Sequence, residues 1–315
     1  MSGWLAAATS YSVHNFTLIP FYIYYSMFGF QRVGDLAWAA GDSQARGFLL
    51  GATAGRTTLN GEGLQHQDGH SHILSSTVPN CVSYDPTYSY ELAVILQDGL
   101  RRMYEDNERV FYYLTLMNEN YIHGAMPEGA EEGIRKGMYL LREGKAKTKK
   151  SPKVQLLGSG TILREVEAAA ELLREDFDVA ADVWSVTSFN ELRREGLKMD
   201  RDEMLNPEEE RPANWVEKCL DGRSGPVIAS TDYMRAYADQ IRPWVNAPYT
   251  VLGTDGFGRS DSRQKLRHFF EVDRYFVVLA ALNALRKEGK VEVGLVKQAI
   301  EKYGIVTDKP YPVMH

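Results

Sequence analysis

Residues 154–173, Val-Gln-Leu-Leu-Gly-Ser-Gly-Thr-Ile-Leu-Arg-Glu-Val-Glu-Ala-Ala-Ala-Glu-Leu-Leu, decide the fold of this chain. The first four residues are typical of a short buried strand, and the Gly-Ser-Gly that follows predicts a turn. Apolar side chains then recur at helical spacing, at Ile162, Val166, Ala169, Ala170 and Leu173. A strand, a turn and a helix in this order predict a parallel sheet covered by helices.

The pattern continues towards the end of the chain. Further strands are predicted at 183–186, 227–229 and 249–252, each followed by a helical pattern. Ser188 and Glu191 have the spacing of a capping box at the start of a helix. Two more helices are predicted at 274–288 and 291–303. This part of the sequence therefore predicts an α/β domain with a parallel or mostly parallel sheet.

The first half is also α/β, although it is less regular. We predict a helix near 25–40, strands at 47–50, 81–84 and 110–116, a helix at 90–104 and a long loop from 53 to 76. Residues 143–152 are polar, rich in lysine and closed by a proline, which is typical of an exposed linker. The predicted organisation is a first domain at 1–142, a linker at 143–152 and a second domain at 153–315.

Composition restricts the class of protein. The 315 residues carry a net charge of −6, which does not indicate a basic surface for nucleic acid. The longest apolar run near the start, residues 18–25, is far shorter than the roughly 20 residues of a membrane-spanning helix. Two cysteines cannot form a disulfide framework and fit a reduced, cytoplasmic setting. We expect a cytoplasmic protein without nucleic-acid or membrane partners.

The predicted loop at 53–76 is the main candidate for chemistry. Within eleven residues it contains Glu62, His66, Asp68, His70 and His72. One interpretation is proton transfer or hydrogen bonding by Glu62 and His66. A second is a metal site formed by the three histidines, although no zinc motif of standard spacing is present. The third is that these side chains hydrogen-bond the loop to itself. For the cluster as a whole we favour a functional site.

Two other features have simpler interpretations. Aromatic residues are dense near the start, and core packing is their default role. They are Tyr22, Tyr24, Tyr25, Phe28 and Phe30. The segment Gly253–Gly258 lacks the lysine of a phosphate-binding loop and the spacing of a dinucleotide fingerprint, so we predict a tight turn that carries Asp255.

Taken together, several stretches make the sequence resemble the homodimeric bacterial pyruvate dehydrogenases, which depend on thiamine diphosphate. The stretches are residues 4–12, 19–32, 55–66, 126–137 and 251–261. More distantly, the loop around Glu62 and His66 is similar to the active-site loop of transketolases. The resemblance implies a transketolase-like pyrimidine-binding domain, lacking its N-terminal part, followed by a transketolase C-terminal-like α/β domain. It also accounts for the apolar segment that begins at Trp4, which is typical of a domain core although no strand precedes it.

The resemblance implies roles for four residues. Tyr25 and Phe28 match aromatic residues that pack on the aminopyrimidine ring of the cofactor, which replaces the core-packing interpretation for these two. Glu62 and His66 match polar residues that line the cofactor and substrate cavity. His70 and His72 are not singled out by the resemblance, and we expect them to stabilise the loop.

Other parts of the family's site have no counterpart in this sequence. The family holds the diphosphate through magnesium on a Gly-Asp-Gly motif. Here Gly41-Asp42 is followed by Ser43, and it lies in the pyrimidine-binding domain rather than in a diphosphate-binding domain. The glutamate that protonates the pyrimidine ring lies upstream of the matched region. We therefore expect only the pyrimidine side of the thiamine diphosphate site here, magnesium in a missing domain, and no turnover by this chain alone.

The implied function is that of the C-terminal part of a pyruvate dehydrogenase. Such an enzyme decarboxylates pyruvate and passes the acetyl unit to the lipoyl domain of a dihydrolipoyl acetyltransferase. The implied assembly is a homodimer of the full-length enzyme, or a pair with a complementary diphosphate-binding chain. One alternative is a structural or assembly half of a split 2-oxo acid dehydrogenase. Another is a metal-dependent hydrolase built on the histidine loop.

Overall fold

A computed structural model of the chain describes residues 1–148 and 150–314, which form two α/β units. The strands of the first unit are β1 (Phe21–Tyr25), β2 (Phe48–Ala52), β3 (Cys81–Tyr84) and β4 (Phe111–Thr115). They form a parallel sheet with the order β1-β2-β4-β3. The strands of the second unit are β5 (Tyr139–Arg142), β6 (Lys153–Gly158), β7 (Ala180–Ser185), β8 (Val227–Ser230) and β9 (Tyr249–Leu252). Their order is β5-β7-β6-β8-β9, and only β5 pairs antiparallel within the described residues.

Helices cover both sheets. In the first unit they are α1 (Ser2–Ala8), α2 (Ser10–Val13), α3 (Phe30–Asp42), α4 (Ser71–Ser75), α5 (Ser89–Leu100) and α6 (Glu131–Lys136). In the second unit they are α7 (Leu163–Phe177), α8 (Phe189–Leu205), α9 (Trp215–Leu220), α10 (Arg235–Asp239), α11 (Arg263–Phe269), α12 (Arg274–Lys287) and α13 (Val293–Lys302). Among the residues described, no helix combines the length and the apolar character that crossing a membrane requires.

The second sheet follows the predicted βα pattern. Side chains alternate between its faces, as successive residues of a strand must. Leu156 of β6 belongs to a core shared with α7, α12 and α13, whereas its neighbour Leu157 belongs to a core shared with α8 and α10. The predicted strands at 154–157, 183–186, 227–229 and 249–252 all fall on observed strands. At the start of α8, the Glu191 N–H donates to Ser188 Oγ at 3.0 Å, which is one half of the predicted capping box.

The first unit departs from prediction at its edge. The predicted helix near 25–40 is wrong at its start, because residues 21–25 form β1 and the helix α3 begins only at Phe30. The run Phe-Tyr-Ile-Tyr-Tyr consists of aromatic and β-branched residues, which favour strands. It pairs in parallel with β2 along its whole length. Strand β1 is therefore an edge strand, and the aromatic segment lies along one edge of the first sheet.

The predicted linker lies beside the second sheet. Its residue Lys149 falls outside the described part of the chain. The Gly144 N–H donates to Asp182 Oδ1 at 2.8 Å, so the start of the segment is tied to β7. Strand β5 precedes the linker and pairs with β7, which assigns 139–142 to the second sheet rather than to the first unit.

Candidate functional site

The structure brings together the four residues singled out for the site. The ring centroid of His66 lies 5.3 Å from that of Tyr25 and 5.0 Å from that of Phe28, edge-on in both cases. His66 Nδ1 lies 3.6 Å from Glu62 Oε2. The rings of Tyr25 and Phe28 are themselves 6.1 Å apart. Glu62, His66, Tyr25 and Phe28 thus form one contiguous group, which we call the aromatic–acid group.

The position of this group follows from the sheet topology. Tyr25 is the last residue of β1 and pairs with Ala52, the last residue of β2. A 3₁₀ turn at Ser26–Phe28 follows β1, and the loop after β2 contains a second 3₁₀ turn at Leu64–His66. Ligands of open α/β sheets bind beyond the carboxyl ends of the strands. The aromatic–acid group lies at such an end.

The group is open to solvent and carries charge. Tyr25 is 44% exposed, and the side chains of Glu62 and His66 are 40% and 25% exposed. The guanidinium carbon of Arg32 lies 4.2 Å from the centroid of the Phe28 ring, which is the geometry of a cation–π contact. A partly exposed aromatic surface beside acidic and basic side chains is suited to binding a planar ring that carries polar groups.

His66 is placed for proton exchange. A distance of 3.6 Å is too long for a hydrogen bond to Glu62, yet short enough for attraction when the imidazole is protonated. Within the described residues, Nδ1 is buried and has no hydrogen-bond partner. An imidazole nitrogen without a hydrogen-bond partner beside a carboxylate is available to donate or accept a proton.

The loop that carries Glu62 and His66 is held by the second unit. Asp232 follows β8 and is fully buried, and burial raises the pKa of its carboxyl group. Its Oδ1 accepts from the Thr57 N–H at 2.8 Å and from Thr57 Oγ1 at 2.6 Å. Its Oδ2 accepts from the Thr58 N–H at 3.0 Å and from Thr58 Oγ1 at 2.6 Å. Gly55 has φ of +92°, and a Cβ there would collide with this carboxylate.

The turn after β9 lies against the same loop. The Arg235 N–H donates to Asp255 Oδ2 at 3.1 Å, so Asp255 ties the irregular segment after β9, which bends at Gly256, to the start of α10. Ser260 Oγ donates to the carbonyl oxygen of Glu62 at 2.8 Å. Arg263 Nε donates to the carbonyl oxygen of Thr58 at 2.6 Å. Both units therefore contribute to the position of the candidate loop.

The other residues of the predicted loop at 53–76 are placed differently from His66, and His72 belongs to α4. Asp68 Oδ1 accepts from the backbone N–H groups of His70 and Ser71, each at 2.9 Å, which ties the loop to itself. His70 is half-buried, and burial lowers its pKa. His72 is fully buried, and its ring stacks on Tyr237 of the second unit with centroids 4.7 Å apart.

His72 is neutral at physiological pH. Its Nε2 lies 3.1 Å from Thr115 Oγ1 and 4.0 Å from Asp85 Oδ1. The second distance would allow an ion pair, but burial lowers the pKa of His72 to about 3, so the imidazole carries no charge there at neutral pH. This histidine packs between the two units rather than facing the aromatic–acid group.

The metal alternative receives no support from these positions. Across 1–148 and 150–314, no group of three or more His, Cys, Asp or Glu side chains is arranged to hold a metal ion. The exposed ring of Tyr25 and the half-buried ring of Phe28, beside Glu62 and His66, fit the aminopyrimidine ring of the cofactor that the resemblance implies.

Two buried acids were not identified from the sequence as site residues. Asp85 follows β3, is fully buried, and accepts from Thr115 Oγ1 at 2.7 Å. Burial raises the pKa of Asp85 to about 7. Asp232 is the second residue after β8. The available signal was an acidic residue within three positions of the end of a predicted strand, but nothing in the sequence indicated what each acid contacts.

Two family models match the chain in succession. The pyruvate dehydrogenase E1 component middle domain matches residues 1–124. The transketolase-like TK C-terminal domain matches residues 137–273.

Curated relatives match nearly the whole chain. It is 66% identical over 314 residues to the pyruvate dehydrogenase E1 component of Pseudomonas aeruginosa. It is 60% identical over 313 residues to that of Escherichia coli K12. These matches include 99% and 98% of the chain but 35% and 34% of the two relatives. The chain therefore spans about a third of the length of these relatives.

Solved structures show the same fold at low identity. A transketolase from Campylobacter jejuni matches with a TM-score of 0.60 and 16% identity, covering 89% of this chain and 38% of that one. A structure described as a split gene transketolase, inactive beta4 tetramer, matches with a TM-score of 0.63 and 15% identity, covering 91% and 82%. The predicted fold class, transketolase-like α/β units, is confirmed.

Proposed function

The chain belongs to the family of pyruvate dehydrogenase E1 components, and from this premise we propose that it provides the aminopyrimidine side of a thiamine diphosphate site. The observation that carries the proposal is the convergence of Tyr25, Phe28, Glu62 and His66 at the carboxyl end of the first sheet. These residues come from two segments about forty positions apart, and a role in loop packing alone does not require that all four stay at least partly exposed.

Each residue of the group has a proposed role. Tyr25 and Phe28 pack on the aminopyrimidine ring, and Arg32 supports the Phe28 ring from one side. Glu62 and His66 hydrogen-bond to the substrate and move protons at its oxygen atoms. Thiamine diphosphate, when bound, supplies the carbanion chemistry by which a 2-oxo acid loses carbon dioxide.

The proposed reaction is that of the complete enzyme. Pyruvate is decarboxylated, and the acetyl unit is transferred to a lipoyl group on the acetyltransferase of the complex. Magnesium and the diphosphate are held by a polypeptide region outside this chain. We also propose a homodimeric assembly of the complete enzyme, located in the cytoplasm.

Reconstitution tests this function. The chain is mixed with a polypeptide that comprises the part of the Pseudomonas aeruginosa E1 component outside the matched third, together with thiamine diphosphate and Mg²⁺. Carbon dioxide released from pyruvate with a labelled carboxyl group is measured. We expect release only from the mixture, and strong reduction when His66→Ala replaces the native chain.

The controls separate the alternatives. Each polypeptide is assayed alone, and binding of the two is measured by analytical ultracentrifugation. A complex that forms without any turnover would favour an assembly half with no catalytic residues over the proposed site. Turnover by the chain alone would contradict the assignment of the diphosphate site to another region.

A further inference from the structure

Gln67 lies directly after His66, and we propose that it is the residue that positions the loop carrying Glu62 and His66. Its side-chain amide joins the two ends of that loop to a turn of the second unit. The chemical meaning of this role rests on the proposed function, whereas the structural connection can be tested without it. The catalytic roles proposed above do not involve Gln67.

The contacts of Gln67 define the connection. The side chain is fully buried. Its Nε2 donates to the carbonyl oxygen of Leu59 at 2.8 Å, and its Oε1 accepts from the Arg259 N–H at 2.7 Å. A backbone carbonyl can only accept and a backbone N–H can only donate, so the orientation of the amide is determined by its partners.

These two bonds enclose the candidate residues. Leu59 and Gln67 bracket the loop segment that contains both Glu62 and His66. The bond from Arg259 attaches the closed loop to the turn after β9, where Ser260 Oγ also donates to the Glu62 carbonyl oxygen at 2.8 Å. A change at Gln67 therefore reaches both proton-exchanging side chains through the backbone.

Close approach of the turn depends on Gly258. A Cβ at this position would collide with the carbonyl oxygen of Leu64 and would lie 2.7 Å from Gln67 Oε1. The absence of a side chain at Gly258 lets the turn reach the amide. Gly258→Ala is therefore expected to loosen the same connection from the side of the second unit.

The chemistry of an amide gives the proposal a specific test. In Gln67→Glu, an ionised carboxylate still accepts from the Arg259 N–H but repels the Leu59 carbonyl oxygen. A protonated carboxyl group has one donor and restores that bond. Burial raises the pKa of a carboxyl group, so restoration begins above the usual range of glutamate. In Gln67→Met neither bond forms at any pH.

Gln155 provides a matched control. It is also buried, its Nε2 donates to the Ser224 carbonyl oxygen at 3.1 Å, and its Oε1 accepts from Trp184 Nε1 at 2.9 Å. It belongs to β6 in the core of the second unit and does not contact the loop. Gln155→Glu therefore introduces the same buried charge away from the candidate site.

The first measurement is hydrogen exchange of the chain itself, analysed by mass spectrometry. In Gln67→Glu at neutral pH, peptides covering 59–67 and 256–260 are expected to exchange about tenfold faster than in the native chain, because opening this connection frees both segments. The ratio should return towards one as the pH is lowered. Gln67→Met should show the faster exchange at every pH, and Gln155→Glu should leave both peptides unchanged.

The second measurement is the pH profile of the reconstituted enzyme. Misplacement of catalytic groups by about 1 Å can reduce rates roughly 100-fold, so Gln67→Glu should lower kcat about 10- to 100-fold at neutral pH with little change in KM. Its kcat relative to the native enzyme should rise on acidification, and that of Gln67→Met should not. A variant that merely unfolds would not recover in this way.

The outcomes are distinguishable. Unchanged exchange of both peptides in Gln67→Glu at neutral pH would overturn the proposal, as would equal exchange effects from Gln155→Glu. If Gln67→Glu does not fold, faster exchange of 59–67 in Gly258→Ala supports the connection and its absence overturns it. If exchange behaves as expected but the native mixture has no turnover, the proposed function fails while the structural role of Gln67 stands.

Discussion

Replacing Asp232 by asparagine is expected to loosen the candidate loop and to destabilise the chain by about 2 kcal/mol. Asp232 accepts four hydrogen bonds from Thr57 and Thr58, two on each carboxylate oxygen. In Asp232→Asn one oxygen becomes an NH₂ group that faces a backbone N–H. The threonine hydroxyl can rotate and accept, but the backbone N–H cannot.

The magnitude follows from that single unpaired donor. A buried N–H without an acceptor costs about 1–3 kcal/mol. Removing a buried carboxylate charge, whose pKa burial has raised, offsets part of the cost. A net loss of about 2 kcal/mol is a large fraction of the roughly 5–15 kcal/mol that stabilises a typical domain.

Urea unfolding at neutral pH, followed by tryptophan fluorescence, measures this loss. Asp273→Asn is the matched control, because Asp273 caps α12 by accepting from the Tyr275 and Phe276 N–H groups at 3.0 Å. Asparagine caps helices about as well as aspartate, and its amide can donate to His268 Nδ1, which lies 2.9 Å from the other carboxylate oxygen, so we expect a change within about 0.5 kcal/mol. Equal effects of the two substitutions, or a loss below about 0.5 kcal/mol for Asp232→Asn, would refute the reasoning.

Three further predictions concern the site and the core. In the reconstituted enzyme, His66→Ala should lower kcat about 100- to 1000-fold, as loss of a general acid–base does, while His70→Ala leaves kcat unchanged; equal losses would contradict the assignment. Burial raises the pKa of Asp85 to about 7, so the folded chain retains a proton that the unfolded chain releases near pH 4. The contribution of Asp85 to stability should therefore fall by up to about 4 kcal/mol as the pH rises from 4 to 7, whereas the neutral His72 contributes with the opposite sign, so the native chain and Asp85→Asn are compared in urea unfolding at several pH values and their difference should show the fall. Ser188→Ala should cost about 1–2 kcal/mol in thermal unfolding, since Ser188 accepts from the Glu191 N–H and donates to the Ser83 carbonyl oxygen, and an unchanged Tm would contradict this.

The second sheet could be predicted because its information is local. Each of β6, β7, β8 and β9 is a short apolar run followed by a helical pattern, and such alternation is visible without knowledge of the partner strand. Strand β5 gave no such signal, because residues 139–142 are short and join the sheet antiparallel beside β7. Strand β1 was missed because the predicted helix was extended back to Tyr25, whereas the observed helix begins only at Phe30.

The candidate site could be predicted only in part. Glu62 and His66 were indicated by the crowding of polar residues in one loop, and Tyr25 and Phe28 came from the resemblance to a known family. The contacts that hold the loop come from Asp232 and Arg259, which lie more than 170 positions away in the sequence. Spacing within one sequence does not reveal such contacts, since they depend on how the two units pack.

The affinity of the reconstituted enzyme for thiamine diphosphate tests the central claim most directly. Dissociation constants are measured by calorimetry for the native chain, for Tyr25→Ala and for Tyr275→Ala, a partly exposed tyrosine of α12 in the second unit. Loss of ring stacking is worth about 1–3 kcal/mol, so Tyr25→Ala should weaken binding by a factor of roughly 5 to 150. Tyr275→Ala should bind as the native chain does. Native affinity in Tyr25→Ala would contradict the placement of the aminopyrimidine ring at the end of β1.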